Sequence, residues 1–192
     1  MKGRILQREF FERSVLKVAP DLLGKVLVRR YRGKEIAGMI TEVEAYDGPR
    51  DKASHASRGI TERNKIMFGP AGHFYVYFTY GMHWMLNVVT GKKNYPAAVL
   101  IRGVQCLGVR LPNIENEPPS IVEGPGKLTK FLHIDKTLNG KLACRASGLW
   151  IEDRGIVVPR GKIERTPRIG VQYAGNWALR PYRFLIRRNR LR

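Results

Sequence analysis

Between Lys25 and Leu107 the chain carries five runs rich in β-branched and aromatic residues, separated by short polar or glycine-bearing turns. Runs of this kind pair with one another, so the fold must be organised around an antiparallel sheet. KVLVRRY and IAGMITEVEAY flank the turn RGKE and read as a hairpin. HFYVYFTY and HWMLNVV meet at Gly81-Met82, and AAVLIRGVQCL follows GKKNYP, which makes a meander. Later segments, GLWIEDRG, IGVQYAG and YRFLIR, read as shorter strands. Helices are small: SVLKVAPDLLG closing at Gly24, ERNKIMF stopped by Gly69-Pro70, and KLTKFLHI. A length of 192 residues suits one core, so the expected class is α+β. It is a single domain over residues 1–192, with a curved antiparallel sheet, small surrounding helices and a protruding β-hairpin. Two stretches fall outside the pattern. Residues 47–61 lack apolar periodicity and read as a loop of functional length, and 108–126, with Pro112, Pro118, Pro119 and Pro125, as an extended connection.

Charge narrows the function classes. Lys and Arg number 35 against 16 Asp and Glu, a net charge of +19. A folded domain this basic repels itself unless a polyanion partner relieves it, and nucleic acid is the commonest one. A membrane anchor would gather the charge on one amphipathic helix, whereas here it is scattered and thickens only in RPYRFLIRRNRLR. No stretch approaches ~18 consecutive apolar residues, and the N-terminus lacks the apolar core of a secretory signal. The expectation is a soluble protein that stays in the compartment where it is made. Cys106 and Cys144 belong to no metal or redox spacing, and His55, His73, His83 and His133 to no ligand motif. No metal or cofactor is expected.

Alternation along IAGMITEVEAY puts Glu42, Glu44 and Tyr46 on one side with Ile40, and Met39, Thr41, Val43 and Ala45 on the other. A lone Glu in a strand is usually solvated or ion-paired, but two carboxylates beside tyrosine-rich strands and a loop with His55 are candidates for a tuned base. In HFYVYFTY, Phe74, Val76 and Phe78 share a face assigned to the core. Tyr75 and Tyr77 point the other way, and Tyr80 lies at the turn, a distribution that suits stacking on nucleobases.

The block EVEAYDGPRDKASHASRGITERNKIMFGPAGHFYVYFTYGMHWMLNVV, followed by VLIRG, GPGKL and RIGVQYAGNWALRPYRF, resembles the alkyladenine (3-methyladenine) DNA glycosylases in their compact bacterial form, in register over about residues 9–187. The resemblance implies an enzyme that flips a damaged purine from double-stranded DNA and hydrolyses its N-glycosidic bond with water. By residue, it implies Glu44 as the carboxylate that activates the water, with Arg102 holding the water and the sugar-phosphate. Tyr46 and Tyr77 would sandwich the base, with His55 stacking on it or offering its backbone N–H. Asn87 would crowd the 2-amino group of normal guanine, and Tyr80 would fill the gap in the duplex. The implied state is a monomer without a membrane partner, in the cytoplasm near the nucleoid if bacterial and in the nucleus if eukaryotic. Glu115 and Glu117 make the 108–126 connection more acidic than is usual in the family.

Alternatives stay open on the residues themselves. Glu42 shares the face of Glu44 and competes for the role of base. A non-catalytic nucleic-acid binder would account for the charge and the aromatics without any carboxylate inside the binding face. A bifunctional glycosylase/lyase would need a lysine amine, and none lies within TEVEAY or YVYFTYGM.

Overall fold

The computed structural model describes residues 3–107 and 120–187. The acidic residues Glu115 and Glu117, three of the prolines of the 108–126 connection and the last arginines of the C-terminal run lie outside the described residues. Ten strands follow in chain order: β1 (Arg4–Ile5), β2 (Val26–Tyr31), β3 (Lys34–Asp47), β4 (Phe74–Thr79), β5 (His83–Thr90), β6 (Ala97–Cys106), β7 (Ile121–Glu123), β8 (Leu149–Asp153), β9 (Ile163–Thr166) and β10 (Arg183–Ile186). Three short helices accompany them: α1 (Arg8–Phe11), α2 (Val15–Leu22) and α3 (Pro125–Phe131).

All pairings are antiparallel and join one sheet, with β1, β8, β2, β3, β6, β5 and β4 side by side. β7 adds to β6, and β10 bridges β3 and β9. The expected α+β class with a curled antiparallel sheet is what forms. β2 and β3 make the expected hairpin, with Arg32 at φ +48° and Gly33 at φ +77°. Positive φ at both central positions gives a turn whose twist matches that of the strands. The meander of β4, β5 and β6 is likewise present. Two assignments change. IGVQYAG belongs to no strand, since Gln172–Trp177 winds as 3-10 turns, and the end of the expected extended connection pairs as β7 and starts α3.

Strand β3 is the spine. Its first half pairs with β2 and its second half with β10, while β6 runs along the other side. At the changeover, between Ile40 and Val43, the register with β6 shifts in a β-bulge. An extra residue reverses which side chains face which way. Ile40 therefore packs in the same core cluster as Val43 and Ala45, not on the side of Glu42, Glu44 and Tyr46 as strict alternation requires.

The two faces of the sheet differ in kind. On one, α2 packs against β3 and β6, and α3 against β5 and β6. They cover Phe74, Val76, Leu86, Val88, Val99 and Ile101 of the core. The intervening residues Tyr75, Tyr77, Met85, Asn87, Ala98, Leu100 and Arg102 turn to the opposite face and line a cavity. Phe78, expected in the core, is 44% exposed: it lies near the turn end of the edge strand β4, while α3 packs on β5 and β6; there it packs on Trp84, with ring centroids 4.7 Å apart.

Candidate active site

The cavity on that face has a volume of about 290 Å³, at the small end of the ~300–1,000 Å³ usual for ligand sites. Several parts of the chain build it. β3 supplies Tyr46, the loop after it His55, β4 and β5 supply Tyr75, Tyr77, Met85 and Asn87, and the segment after β9 supplies Ile169, Gly170 and Tyr173. Arg102 comes from β6, and Tyr80 overhangs from the tip of the hairpin.

Glu44 lies behind this wall, entirely buried. Its Oε2 accepts the Tyr46 hydroxyl at 2.9 Å and lies 3.4 Å from Nη1 of Arg102. Its Oε1 accepts the backbone N–H of Ile169 at 2.8 Å. Burial pushes its pKa above the ordinary carboxylate value, against the pull of Arg102, the Ile169 amide and the Tyr46 hydroxyl. Glu42, the rival, is spoken for: its Oε1 accepts Nε of Arg102 and Nε of Arg183, each at 2.7 Å. Burial works against the charge of Arg102, but Glu44 and Glu42 outweigh it and raise its pKa. Arg102 therefore stays a cation that bridges both acids.

The aromatic walls are neutral. Burial, then the charge of Glu44, holds Tyr46 well above its ordinary range, so its hydroxyl remains a donor. Burial likewise raises Tyr77, and pushes Tyr75 up to about 12. His55 Nδ1 lies 2.9 Å from the Tyr75 hydroxyl, and its ring meets Tyr77 edge-on with centroids 4.7 Å apart. Burial and then Arg63 and Arg58 lower the pKa of His55 to about 4, leaving a neutral imidazole at neutral pH. The loop that carries His55 is pinned at several points. The Ser54 side chain accepts from the Ala56 N–H, and Asn64 Nδ2 donates to the carbonyls of His55 and Gly59. Asn87 is buried and donates from Nδ2 to the Tyr75 carbonyl at 3.1 Å.

Tyr80 stands apart from the others. It is 79% exposed, at φ +53°, and with Gly81 at φ +65° and Met82 it makes the three-residue connection of the β4–β5 hairpin, in which the Met82 N–H donates to the Thr79 carbonyl. The left-handed region costs a non-glycine residue roughly 1–2 kcal/mol.

Six of the seven residues singled out from sequence thus line one cavity, and the seventh, Glu44, contacts three of its lining residues. Sequence reasoning missed the Ile169 amide, because a backbone donor has no residue signature. It also missed Asp51 and Arg168, a fully buried ion pair 117 residues apart in the chain. Only the RIG of RIGVQYAG hinted at that segment. Among the described residues no group of three His, Cys, Asp or Glu is placed to hold a metal ion, and no helix is long and apolar enough to cross a membrane.

Comparison with known proteins brings the fold and site together. A family model described as methylpurine-DNA glycosylase matches residues 9–190. A protein of Methanocella arvoryzae is 48% identical over 186 residues, covering 94% of this chain and 91% of its own. One of Streptomyces avermitilis is 45% identical over 189 residues, covering 94% and 87%. One of Myxococcus xanthus is 43% identical over 183 residues, covering 95% and 90%. All three are provisionally named 3-methyladenine DNA glycosylases.

Proposed function

The chain belongs to the methylpurine-DNA glycosylase family, and from that premise we propose that it removes alkylated or deaminated purines from duplex DNA by hydrolysis, the opening step of base excision repair. The lesions in view are 3-methyladenine, 7-methylguanine, hypoxanthine and ethenoadenine. The observation that carries this reading is a buried, amide-bonded and arginine-flanked carboxylate directly behind an aromatic cavity. A protein that only bound nucleic acid would have no use for such a group, since burying a carboxylate is costly.

A base inside a duplex cannot present its sugar carbon to water, so it must leave the stack. Tyr80 fills the space it vacates, and Tyr46 and Tyr77 replace its stacking partners. Asn87 crowds a 2-amino group, which excludes normal guanine. As the C1′–N9 bond breaks, its electron pair leaves with the base and positive charge grows at C1′. Glu44 stabilises that charge and takes the proton of the attacking water. Oε1 accepts one N–H and has a second lone pair to offer. Arg102 helps hold water and sugar-phosphate. An opposing chemistry, attack by a lysine amine, finds no support, because among the described residues no lysine lines the cavity.

Single-turnover excision from duplexes that each carry one lesion tests this reading. Released free base without borohydride-trapped enzyme is the expected result. A trapped adduct would mean lyase chemistry, and no excision of any lesion would mean a binding protein. The pH dependence adds a second test: hypoxanthine, neutral until protonated, should give a bell, and cationic 7-methylguanine a rise to a plateau. Matching profiles, with binding and folding constant, would refute that assignment of the two protons.

A further inference from the structure

Asp51 and Arg168 lie outside the residues given a role above, yet they touch the elements that carry those roles. Both side chains are fully buried. The guanidinium meets the carboxylate as a fork, Nη1 to Oδ2 at 2.5 Å and Nη2 to Oδ1 at 2.8 Å. Nη1 also donates to the carbonyl of Ala45, the residue between Glu44 and Tyr46, and Nη2 to the carbonyl of Trp177. The guanidinium carbon sits 4.8 Å from the centre of the Tyr46 ring. One residue further on, the Ile169 N–H is bonded to Glu44. From its own side, Asp51 accepts the backbone N–H of Asp47 and of Ala53, at the start of the loop that leads to His55.

A buried ion pair is seldom the most stabilising way to fill a core, since apolar residues of similar volume often do as well or better. Here Nε of Arg168 is buried with no hydrogen-bond partner among the described residues. What the fork supplies, and an apolar side chain cannot, is direction, because its donors are fixed in one plane. We propose that Arg168, held by Asp51, is a positioning residue for base excision: it sets the Ile169 amide on the Glu44 carboxylate and the Tyr46 ring against the flipped base, and locks both to the His55 loop. The inference rests on the reading of Glu44 as the base.

The groups that face Glu44 define the expected readout. They are Arg102 from β6, Tyr77 from β4, Tyr46 and Glu42 from its own strand, and Arg168 with the Ile169 amide from the segment after β9; Arg183 of β10 engages Glu42. Displacing the amide removes a bond that favours the ionised carboxylate, so the pKa of Glu44 rises further. The acid limb of the excision profile then moves to higher pH.

Arg168→Lys keeps the charge without the fork, and Asp51→Asn keeps the shape without the charge. In both, single-turnover excision of hypoxanthine and of 7-methylguanine should fall on the order of 10- to 100-fold. The acid limb should shift upward in Arg168→Lys, while both variants keep binding to lesion-free duplex. Variants that fold and show the wild-type rate and acid limb would make the pair structural only and overturn the proposal. A measurement on the wild-type protein holds even if neither variant folds. The Arg168 guanidinium protons should give resolved, slowly exchanging NMR signals, with the Ile169 amide strongly protected, and averaged or fast-exchanging signals would overturn it. Wild-type protein inert on every lesion would instead refute the proposed function; active wild type, inactive Glu44→Gln and unaltered Arg168→Lys would refute this inference alone.

Discussion

The floor of the cavity and the tip of the hairpin above it are built on opposite terms. At the floor, Glu44 is wholly buried and each of its oxygens has a donor. At the tip, Tyr80 is 79% exposed and holds a strained backbone angle with its ring in solvent. The group proposed to move a proton is over-determined by packing, whereas the group proposed to enter DNA stays largely exposed until DNA covers it. Preorganisation suits a step whose transition state tolerates little displacement. An unsatisfied aromatic suits a contact that exists only in the complex.

That contrast can be broken most directly at Glu44. Glu44→Gln keeps the shape of the floor and removes the proton acceptor, so single-turnover excision should fall at least ~100-fold while binding to lesion DNA stays near wild type. If instead Glu42→Gln abolishes excision and Glu44→Gln does not, the floor has been read one position out.

The next effect is on folding. With its pKa lowered to about 4, His55 binds its proton less readily in the folded protein than in the unfolded chain. Stability is therefore full above the unfolded value near 6.5 and is lost as pH falls toward about 4. The loss attributable to this residue should reach at most about 2–3 kcal/mol in urea melts. His55→Gln should remove that part of the slope. An unchanged slope would mean that the imidazole is not part of the rigid floor.

At the tip, Tyr80→Asn tests both halves of the contrast at once. Asn-Gly is the preferred dipeptide for this turn, so stability should rise by about 0.5–1 kcal/mol. Discrimination between lesion and undamaged duplex should drop roughly 10-fold with loss of the wedge. A variant that is stabilised yet discriminates as before would show that the tip is only a turn. The smallest effect is expected at Asn87, between the two regions. Asn87→Gly should raise release of guanine from undamaged DNA a few-fold by opening space at the purine 2-position. No rise would assign Asn87 to holding Tyr75 alone.

Much of this was legible in the sequence because it is periodic. Alternation along β4 separates Phe74 and Val76 from Tyr75 and Tyr77, and the structure keeps that separation, whereas Asn87 followed only from the family resemblance. Alternation failed at Ile40, where a bulge shifts the phase, and at Phe78, near the turn end of the edge strand β4. Neither event has a local signature, since both depend on what the neighbouring strands and helices do. The Asp51–Arg168 fork and the Ile169 amide were invisible for a related reason. Each joins segments more than a hundred residues apart, and nothing within either segment announces its partner.

The bulge between Ile40 and Val43 has a further consequence, best put in terms of reading frame. A strand with period 2 has two frames, and the bulge is where β3 passes from one to the other. Every residue after it, Glu44 and Tyr46 included, inherits its side of the sheet from that single change. Straightening the bulge without shortening the chain would restore the earlier frame, turning Val43 and Ala45 to the cavity and burying Glu44 and Tyr46 among apolar side chains. The segment should therefore tolerate conservative substitutions far better than an insertion: one residue added between Val43 and Glu44 should abolish folding where Thr41→Ser does not, whereas deleting Thr41 should keep Glu44 on the cavity side.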